Sequence, residues 1–491
     1  MEWPIRKELL DRAWKRLDPE EPAPVENDAP GWRLLSRPLV HVSLLLAFSL
    51  LYHLARLGTK VLEGDEATYA LLSKTITLTG DWTHLSLNGE IYLRKPPLYF
   101  WLGALVFKVF PITAWGASLV SALFGVADTV LLYAVCRAMF PGWVTGFAAA
   151  LVYLTTHEVL HWSRGVHIET LVNFWLLLGL LAVHRSLRSP EATLLLGLSA
   201  AGGWLAKGPQ GLYLAAVAWL VWMREGIVFR RLLSPWALGA AGLLIAAVAG
   251  WIWAGAEEGK GVAEAYFVKQ IGYKFFGPAL IQHGALFYFR KLFETYWPWL
   301  PAALIGGIVL AKSWKKSPGA RIWLIYGGVV LLAILVAAER RVRYLFQLYP
   351  ALSVAAGVAL AVAFRLRPRL LLWLLALVAL GGGLLVGFGA RHASVAPKTQ
   401  ETVLVARRIQ TEGPVWITES TQHGRPSVGR ILGFYAAPLL QTCKGQCGAE
   451  AVPGSTVIAR AEEADEVTAL IHGEVTYRNG TLAIVVVPER S

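Results

Sequence analysis

The chain has 491 residues, of which 55% are apolar and 16% charged, and its mean hydropathy is +0.49. A soluble chain carries about 25% charged residues, so this composition excludes an ordinary water-soluble globule, a disordered chain and a fibrous one. The 21 Trp, 16 Tyr and 19 Phe suit aromatic belts at membrane interfaces, and a net charge of +13 reads first as Lys and Arg in cytoplasmic loops, before nucleic-acid binding.

In chain order, residues 1–38 are polar and basic and lack the short apolar core of a cleaved signal peptide. They read as a cytoplasmic segment. Apolar runs follow at 39–57, 114–136, 143–161, 166–184, 192–206, 209–223, 236–254, 297–311, 321–338, 344–364 and 370–389. A membrane span needs roughly 20 apolar residues, so these predict about eleven spans. The run 97–110 is too short and reads as an interfacial helix. That choice keeps Arg137, Arg185, Arg188, Arg224, Arg230, Arg231, Lys312, Lys315, Lys316, Arg321, Arg365, Arg367 and Arg369 on cytoplasmic loops, in line with the positive-inside bias. It leaves two long external loops, 58–113 and 255–296, and puts 391–491 outside the cytoplasm. That last stretch has short β-like runs at Val415–Thr418, Thr456–Ala459 and Leu482–Val487, and reads as a small soluble α/β domain. Cys443 and Cys447 fall within it. With no further soft ligands nearby they point to a disulfide rather than a metal site, given an oxidising compartment.

Ionisable groups gather on the external side of this layout, where they are costly and mark function. The first external loop opens Glu63-Gly64-Asp65-Glu66-Ala67-Thr68-Tyr69. Asp65 stands where an N-cap belongs, with a helix running to Thr79 and Gly80 as its stop. Ala67, Ala70, Leu71, Leu72 and Ile76 are placed to rest on lipid. Asp65 and Glu66 serve either as a cap and a surface charge or as a pair holding a base and an acceptor.

Next comes Tyr92-Leu93-Arg94-Lys95-Pro96-Pro97-Leu98-Tyr99, with two prolines setting the start of the interfacial helix. Its cations are either snorkelling anchors or ligands of a lipid phosphate. The corner Arg164-Gly165-Val166-His167-Ile168-Glu169 offers an ion pair between Arg164 and Glu169, or a carboxylate at the membrane surface. Lys207-Gly208-Pro209 splits two short spans, a pattern that lines polar cavities. Arg340, Arg341, Arg343 and Tyr344 make another external cationic cluster, and Lys269, Lys274 and His283 lie in the second long loop. The simplest common partner of these cations is an anionic, phosphate-bearing head group.

Together, Gly64–Ala70, Arg94–Trp101, His167-Ile168-Glu169, Lys207-Gly208-Pro209 and Arg343-Tyr344 resemble the polyprenyl-phosphate-sugar-dependent glycosyltransferases of the GT-C fold, the group of the protein O-mannosyltransferases and aminoarabinose transferases. The resemblance spans about residues 40–390 and implies a membrane all-α bundle at 39–390 with juxtamembrane helices in its external loops. It implies an inverting transferase of the bacterial inner membrane, with the site and C-terminus on the periplasmic side. A polyprenyl-phosphate-linked sugar and the bilayer are then its partners, with a lipid, glycan or protein acceptor and no nucleic acid. By position, Asp65 looks like the family's loop carboxylate, a base or acceptor-positioning group, and Glu169 stands where the group often has Asp; Glu66 or Glu169 would help Asp65 in catalysis. Lys95, Lys207, Arg94, Arg343 and Arg340 look like donor-phosphate ligands, and Tyr69, Tyr92, Tyr99, Tyr344, His167 and His283 like cavity lining. Thr68 stands where the aminoarabinose enzymes have a phosphate-contacting Arg. Arg94 stands where they place a metal-holding Glu, which argues against that metal site, although His283 lies where the second ligand would fall; a divalent metal is left open and no other cofactor is expected. The rival class is a flippase or transporter, which needs ionisable groups inside spans. Asp128 is the main one, and a helix–helix hydrogen bond accounts for it more simply.

Overall fold

In the computed structural model, the residues described are 37–254, 264–272, 286–337, 339–367, 369–388, 397–409, 411, 413–424 and 426–489. Lys274 and His283 lie outside them. The chain is predominantly helical, and it divides into two units: one takes in 121–164 and 168–389 with the N-terminal stretch through residue 55, the other 56–120, 165–167 and 390–491.

The helices in chain order are α1 (Pro38–Leu54), α2 (Gly64–Thr79), α3 (Leu98–Val109), α4 (Ala114–Met139), α5 (Val144–Thr155), α6 (His157–Ser163), α7 (Glu169–Ser186), α8 (Ala192–Lys207) and α9 (Tyr213–Arg224). Then follow α10 (Val228–Leu232), α11 (Pro235–Ala254), α12 (Phe287–Thr295), α13 (Leu300–Lys312), α14 (Pro318–Val336), α15 (Tyr349–Leu366) and α16 (Arg369–Phe388). Tight 3₁₀ turns at Pro209–Leu212 and Val342–Leu348 lead into α9 and α15. Among the described residues, four helical stretches are long and apolar enough to cross a membrane: Ala114–Met139, Pro235–Ala254, Pro318–Val336 and Val342–Phe364. Shorter apolar helices accompany them, α1, α3, α5, α13 and most of α16 among these.

In the first unit, α8 packs on α7 and α11, α13 on α15, and α15 on α5. Small residues let these backbones approach: a Cβ on Gly306 would lie 1.7 Å from the Ala355 carbonyl oxygen. Leu45, Tyr133, Phe147, Leu151, Phe364 and Leu371 form a continuous core. The expected run 143–161 is interrupted. Thr155 and Thr156 turn their hydroxyls onto the carbonyls of Leu151 and Val152, and the chain leaves the helix at Thr156 with ψ 122°. Asp128 accepts a hydrogen bond from the Tyr153 hydroxyl at 3.1 Å, a link between α4 and α5.

In the second unit, α2 is packed between α3 and a later helix, α19 (Pro426–Tyr435). Ala67, Ala70, Leu71, Leu72 and Ile76 are therefore buried in protein and do not rest on lipid. Asp65 is not the N-cap. The helix starts at Gly64, two residues earlier than an Asp65 cap would place it, Glu63 takes the capping position without a side-chain bond, and Asp65 stands in the first turn. Gly80 ends α2 in the left-handed conformation at φ +74°. A two-strand hairpin, β1 (Ser86–Leu87) and β2 (Glu90–Ile91), turns through Asn88-Gly89.

The C-terminal part adds α17 (Pro397–Arg408), β3 (Val415–Thr418), α18 (Glu419–Gly424), α19, β4 (Leu440–Cys443), β5 (Thr456–Arg460), α20 (Ala464–Ile471), β6 (Glu474–Arg478) and β7 (Leu482–Val486). The strand order is β4-β3-β5-β7-β6. β3 runs parallel to β4 and β5, whereas β7 is antiparallel to β5 and β6. Alternation along the strands buries both faces. Ile417, Ile458 and Ile484 meet α17 and α19, while Val457, Ala459 and Val485 meet α20. Cys443 and Cys447 form a disulfide at the end of β4.

Lys74 joins α2 to α19. Its side chain is buried, and its ammonium donates to the carbonyls of Gly433, Phe434, Ala436 and Pro438 at the helix C-terminus. Burial pulls its pKa down to about 8. Lys74→Ala leaves these carbonyls short of a charged donor, at a cost of about 2–3 kcal/mol. Hydrogen exchange at the C-terminal turn of α19 should accelerate in that variant, and unchanged protection there refutes the anchoring role.

Candidate functional site

The N-terminus of α2 carries the first cluster. Glu66, 5% exposed, accepts from His167 Nε2 at 3.0 Å on one oxygen and from Lys60 at 3.2 Å on the other. The corner residue Gly165 lies so close that a Cβ there would meet the Glu66 carboxylate at 2.2 Å. Burial alone raises the Glu66 pKa, but His167 and Lys60 outweigh it and hold the carboxyl below its ordinary value. Asp65, half-buried, stands beside it in sequence at the positive end of the helix.

The rings expected around this segment do assemble. Tyr69 lies edge-on to Tyr99 with centroids 6.1 Å apart, and it tilts onto Phe100 at 5.5 Å. Tyr92 meets Phe100 at 6.3 Å. Lys95 and Arg94 precede α3, Lys95 half-buried and Arg94 exposed. Pro97 takes the N-cap position, so the pair of prolines does set the start of that helix.

The other unit holds the second cluster. Lys207, at the end of α8, donates to Glu169 Oε1 at 2.8 Å, and both side chains are below 10% exposed, at 9% and 4%. The expected Arg164–Glu169 pair does not form. Glu169 opens α7 and is taken by Lys207, while Arg164 donates to the Ala55 carbonyl. The Lys207 ammonium also lies 6.0 Å from the centre of the Tyr344 ring. Gly208 sustains this corner at φ +85°, where a Cβ would strike the Tyr266 hydroxyl at 1.7 Å, and that hydroxyl donates to the Lys207 carbonyl at 3.2 Å. Tyr344 in turn donates to Glu339 at 2.9 Å, and Arg341 pairs with the same carboxylate. Arg340 and Arg343 flank Arg341 in the stretch leading into α15.

Lys60, Lys74, Glu339 and Tyr266 escaped the sequence reading. Lys60 is one more cation of the first long loop, five residues before Asp65. Lys74 extends the apolar stripe of Ala67, Ala70 and Leu71 at helical spacing, so its burial was readable. Among the described residues no three His, Cys, Asp or Glu side chains gather as metal ligands.

The arrangement offers two things chemically: a Glu66 carboxylate held ionised at a helix N-terminus beside Asp65, and a buried ion pair whose cation also faces an aromatic ring. Removing one partner of a buried pair strands the other charge and costs about 3–5 kcal/mol. Lys207→Met and Glu169→Gln should therefore each destabilise the protein strongly, while the double variant recovers most of the loss. Additive thermal shifts refute the coupling. The Glu66 pKa is lower folded than unfolded, so its contribution to stability is complete above the unfolded value of about 4.3. That contribution is lost as pH falls through the lower folded value. Glu66→Gln should flatten the acid limb of the melting-temperature profile below about pH 4, and an unaltered limb refutes this.

Residues 94–253 match the model of the family described as dolichyl-phosphate-mannose-protein mannosyltransferase. That segment opens on Arg94-Lys95 and contains His167, Glu169 and Lys207, whereas Asp65 and Glu66 precede it. An undecaprenyl phosphate-alpha-4-amino-4-deoxy-L-arabinose arabinosyl transferase of Pseudomonas aeruginosa strain LESB58 is 30% identical over 211 residues, covering 41% of this chain and 38% of that relative. Its counterpart in Yersinia enterocolitica is 27% identical over 173 residues, covering 34% of this chain and 31% of that one. The chain thus aligns with well under half the length of these curated relatives. ArnT from Cupriavidus metallidurans, solved bound to undecaprenyl phosphate, superposes with a TM-score of 0.72 at 16% identity over 93% of this chain and 98% of that one. The apo structure of the same protein gives 0.70. The matched segment and these relatives make the chain similar to the polyprenyl-phosphate-sugar glycosyltransferases over part of its length, and the superposition shows a shared fold.

Proposed function

We propose that the protein is an inverting, multispanning glycosyltransferase of the bacterial inner membrane that takes a sugar, a pentose or hexose, from a polyprenyl-phosphate carrier. The match over 94–253 carries this reading, because it takes in both lysines assigned to the donor phosphate, Lys95 and Lys207. The names of the arabinosyl transferases and the undecaprenyl phosphate bound by the structural relative support the donor class. The layout of about eleven spans, with the acting groups and residues 391–491 on the external face, rests on the positive-inside distribution of Lys and Arg.

In this reading Lys95 and Lys207, helped by Arg94, Arg340 and Arg343, neutralise the donor phosphate. Asp65 orients an acceptor hydroxyl and takes its proton as the oxygen attacks the anomeric carbon; a phosphate oxygen, already ionised, would attack without that proton transfer. The bond from that carbon to the phosphate oxygen breaks. The polyprenyl phosphate leaves with its negative charge already stabilised, so no strong general acid is required. Glu66, locked by His167 and Lys60, holds this end of α2 in place rather than exchanging protons. Glu169 keeps the Lys207 ammonium charged and aimed. The ring set of Tyr69, Tyr92, Tyr99 and Tyr344 supplies amphipathic walls.

Lys95→Ala and Asp65→Asn should each lower transfer from a polyprenyl-phosphate sugar by at least two orders of magnitude with membrane insertion intact. The assay is mass spectrometry of glycans and lipids from cells carrying each variant. Wild-type product levels in both overturn the assignment. Water-accessible labelling of a cysteine at position 128 from both membrane faces favours the transporter alternative instead.

A further inference from the structure

The C-terminal sheet contains a ligand crevice that the transferase reading does not use. From β3 the chain crosses by α18 and α19 to β4 on one side. It then returns, by the disulfide-bearing stretch, to β5 on the other. The two neighbours of β3 are thus reached in opposite directions. In open α/β sheets, the carboxyl ends of two such diverging strands frame a crevice where ligands bind. A cavity of about 280 Å³ lies there. Thr421 follows β3, and Arg460 with Glu462 follow β5.

The lining says what would fit. Thr399, Thr402, Thr421 and Thr481 bring hydroxyls, of which Thr481 already donates to Asn479 at 3.1 Å and Thr421 bonds Thr418 at 2.7 Å, so these two offer mainly their remaining lone pairs. Arg460 is pinned by the Ser420 carbonyl at 2.7 Å and by Glu462 at 3.2 Å, so a donor and an acceptor stand side by side. Val428, Ile431 and Leu482 form an apolar floor. Among the described lining residues there is no aromatic ring, so a nucleobase has nothing there to stack on. The cation among them, Arg460, is matched by a carboxylate, which disfavours a phosphate. The volume is below that of drug-sized sites and suits one ring.

We propose that this crevice binds a single neutral sugar residue, whose hydroxyls replace one another's hydration on the threonines and the Arg460–Glu462 pair while its C–H face lies on Val428, Ile431 and Leu482. The proposal stands apart from the transfer chemistry. Its test is saturation-transfer NMR on the full chain in sugar-free lipid nanodiscs. The probes are the methyl glycosides of D-mannose, D-glucose, D-galactose and L-arabinose. At least one should receive saturation from the wild type and from Lys95→Ala. Binding should fall at least tenfold in Glu462→Ala, an exposed position, and in Thr399→Trp, which fills the cavity. No transfer to any of the four overturns the proposal. So does equal binding in both cavity variants, loss in Lys95→Ala, or displacement of the glycoside by inorganic phosphate.

Discussion

An ionised side chain beside hydrocarbon or inside a packed helix bundle must have a partner, because desolvating it alone costs several kcal/mol. This constraint organises the polar part of the molecule. Glu66 is claimed on both oxygens, Glu169 by Lys207, Lys74 by four carbonyls, and Arg321 by Glu225 at 2.7 Å. Each such link joins segments distant in sequence: α2 to the corner before α7, α7 to the end of α8, and α2 to α19. The charges that would make the protein's chemistry are therefore the same ones that tie its elements together.

That coupling explains which parts of the site were legible. Arg94-Lys95-Pro96-Pro97 and Lys207-Gly208-Pro209 stood out because cations beside helix-breaking residues violate both the charge bias and the apolar pattern. The partner of Glu169 did not, because Arg164 and Lys207 are equally plausible from charge. The choice is made by where α8 ends, with Gly208 in a conformation that suits glycine and its neighbour Lys207 turned onto α7. Asp65 was misjudged as a cap for a related reason. Sequence rules score the side chain, whereas α2 starts two residues sooner.

The elements followed the same logic. Long apolar runs produced helices near their expected places, since burial in lipid or in a bundle needs only the pattern. The break at Thr156 was hidden because threonine hydroxyls can either point away or compete for backbone carbonyls. Strands β3, β5 and β7 were readable as apolar β-branched runs, being central and covered on both faces. β4 and β6 sit at the two edges, carry polar residues such as Gln441, Glu474 and Arg478, and look like loop until their neighbours pair with them.

The departures within the family pattern bear on selectivity. Thr68 spends its hydroxyl on the Gly64 carbonyl within α2, 2.8 Å away, so it replaces no charge at that position. Arg94 adds a cation where the resemblance leads one to expect an acid. The charge missing at position 68 thus reappears at position 94, within the same loop. Such a shift keeps the donor's anionic group and alters what surrounds it. Under the proposed transferase reading, the variable part of recognition then falls to the groups that meet the acceptor.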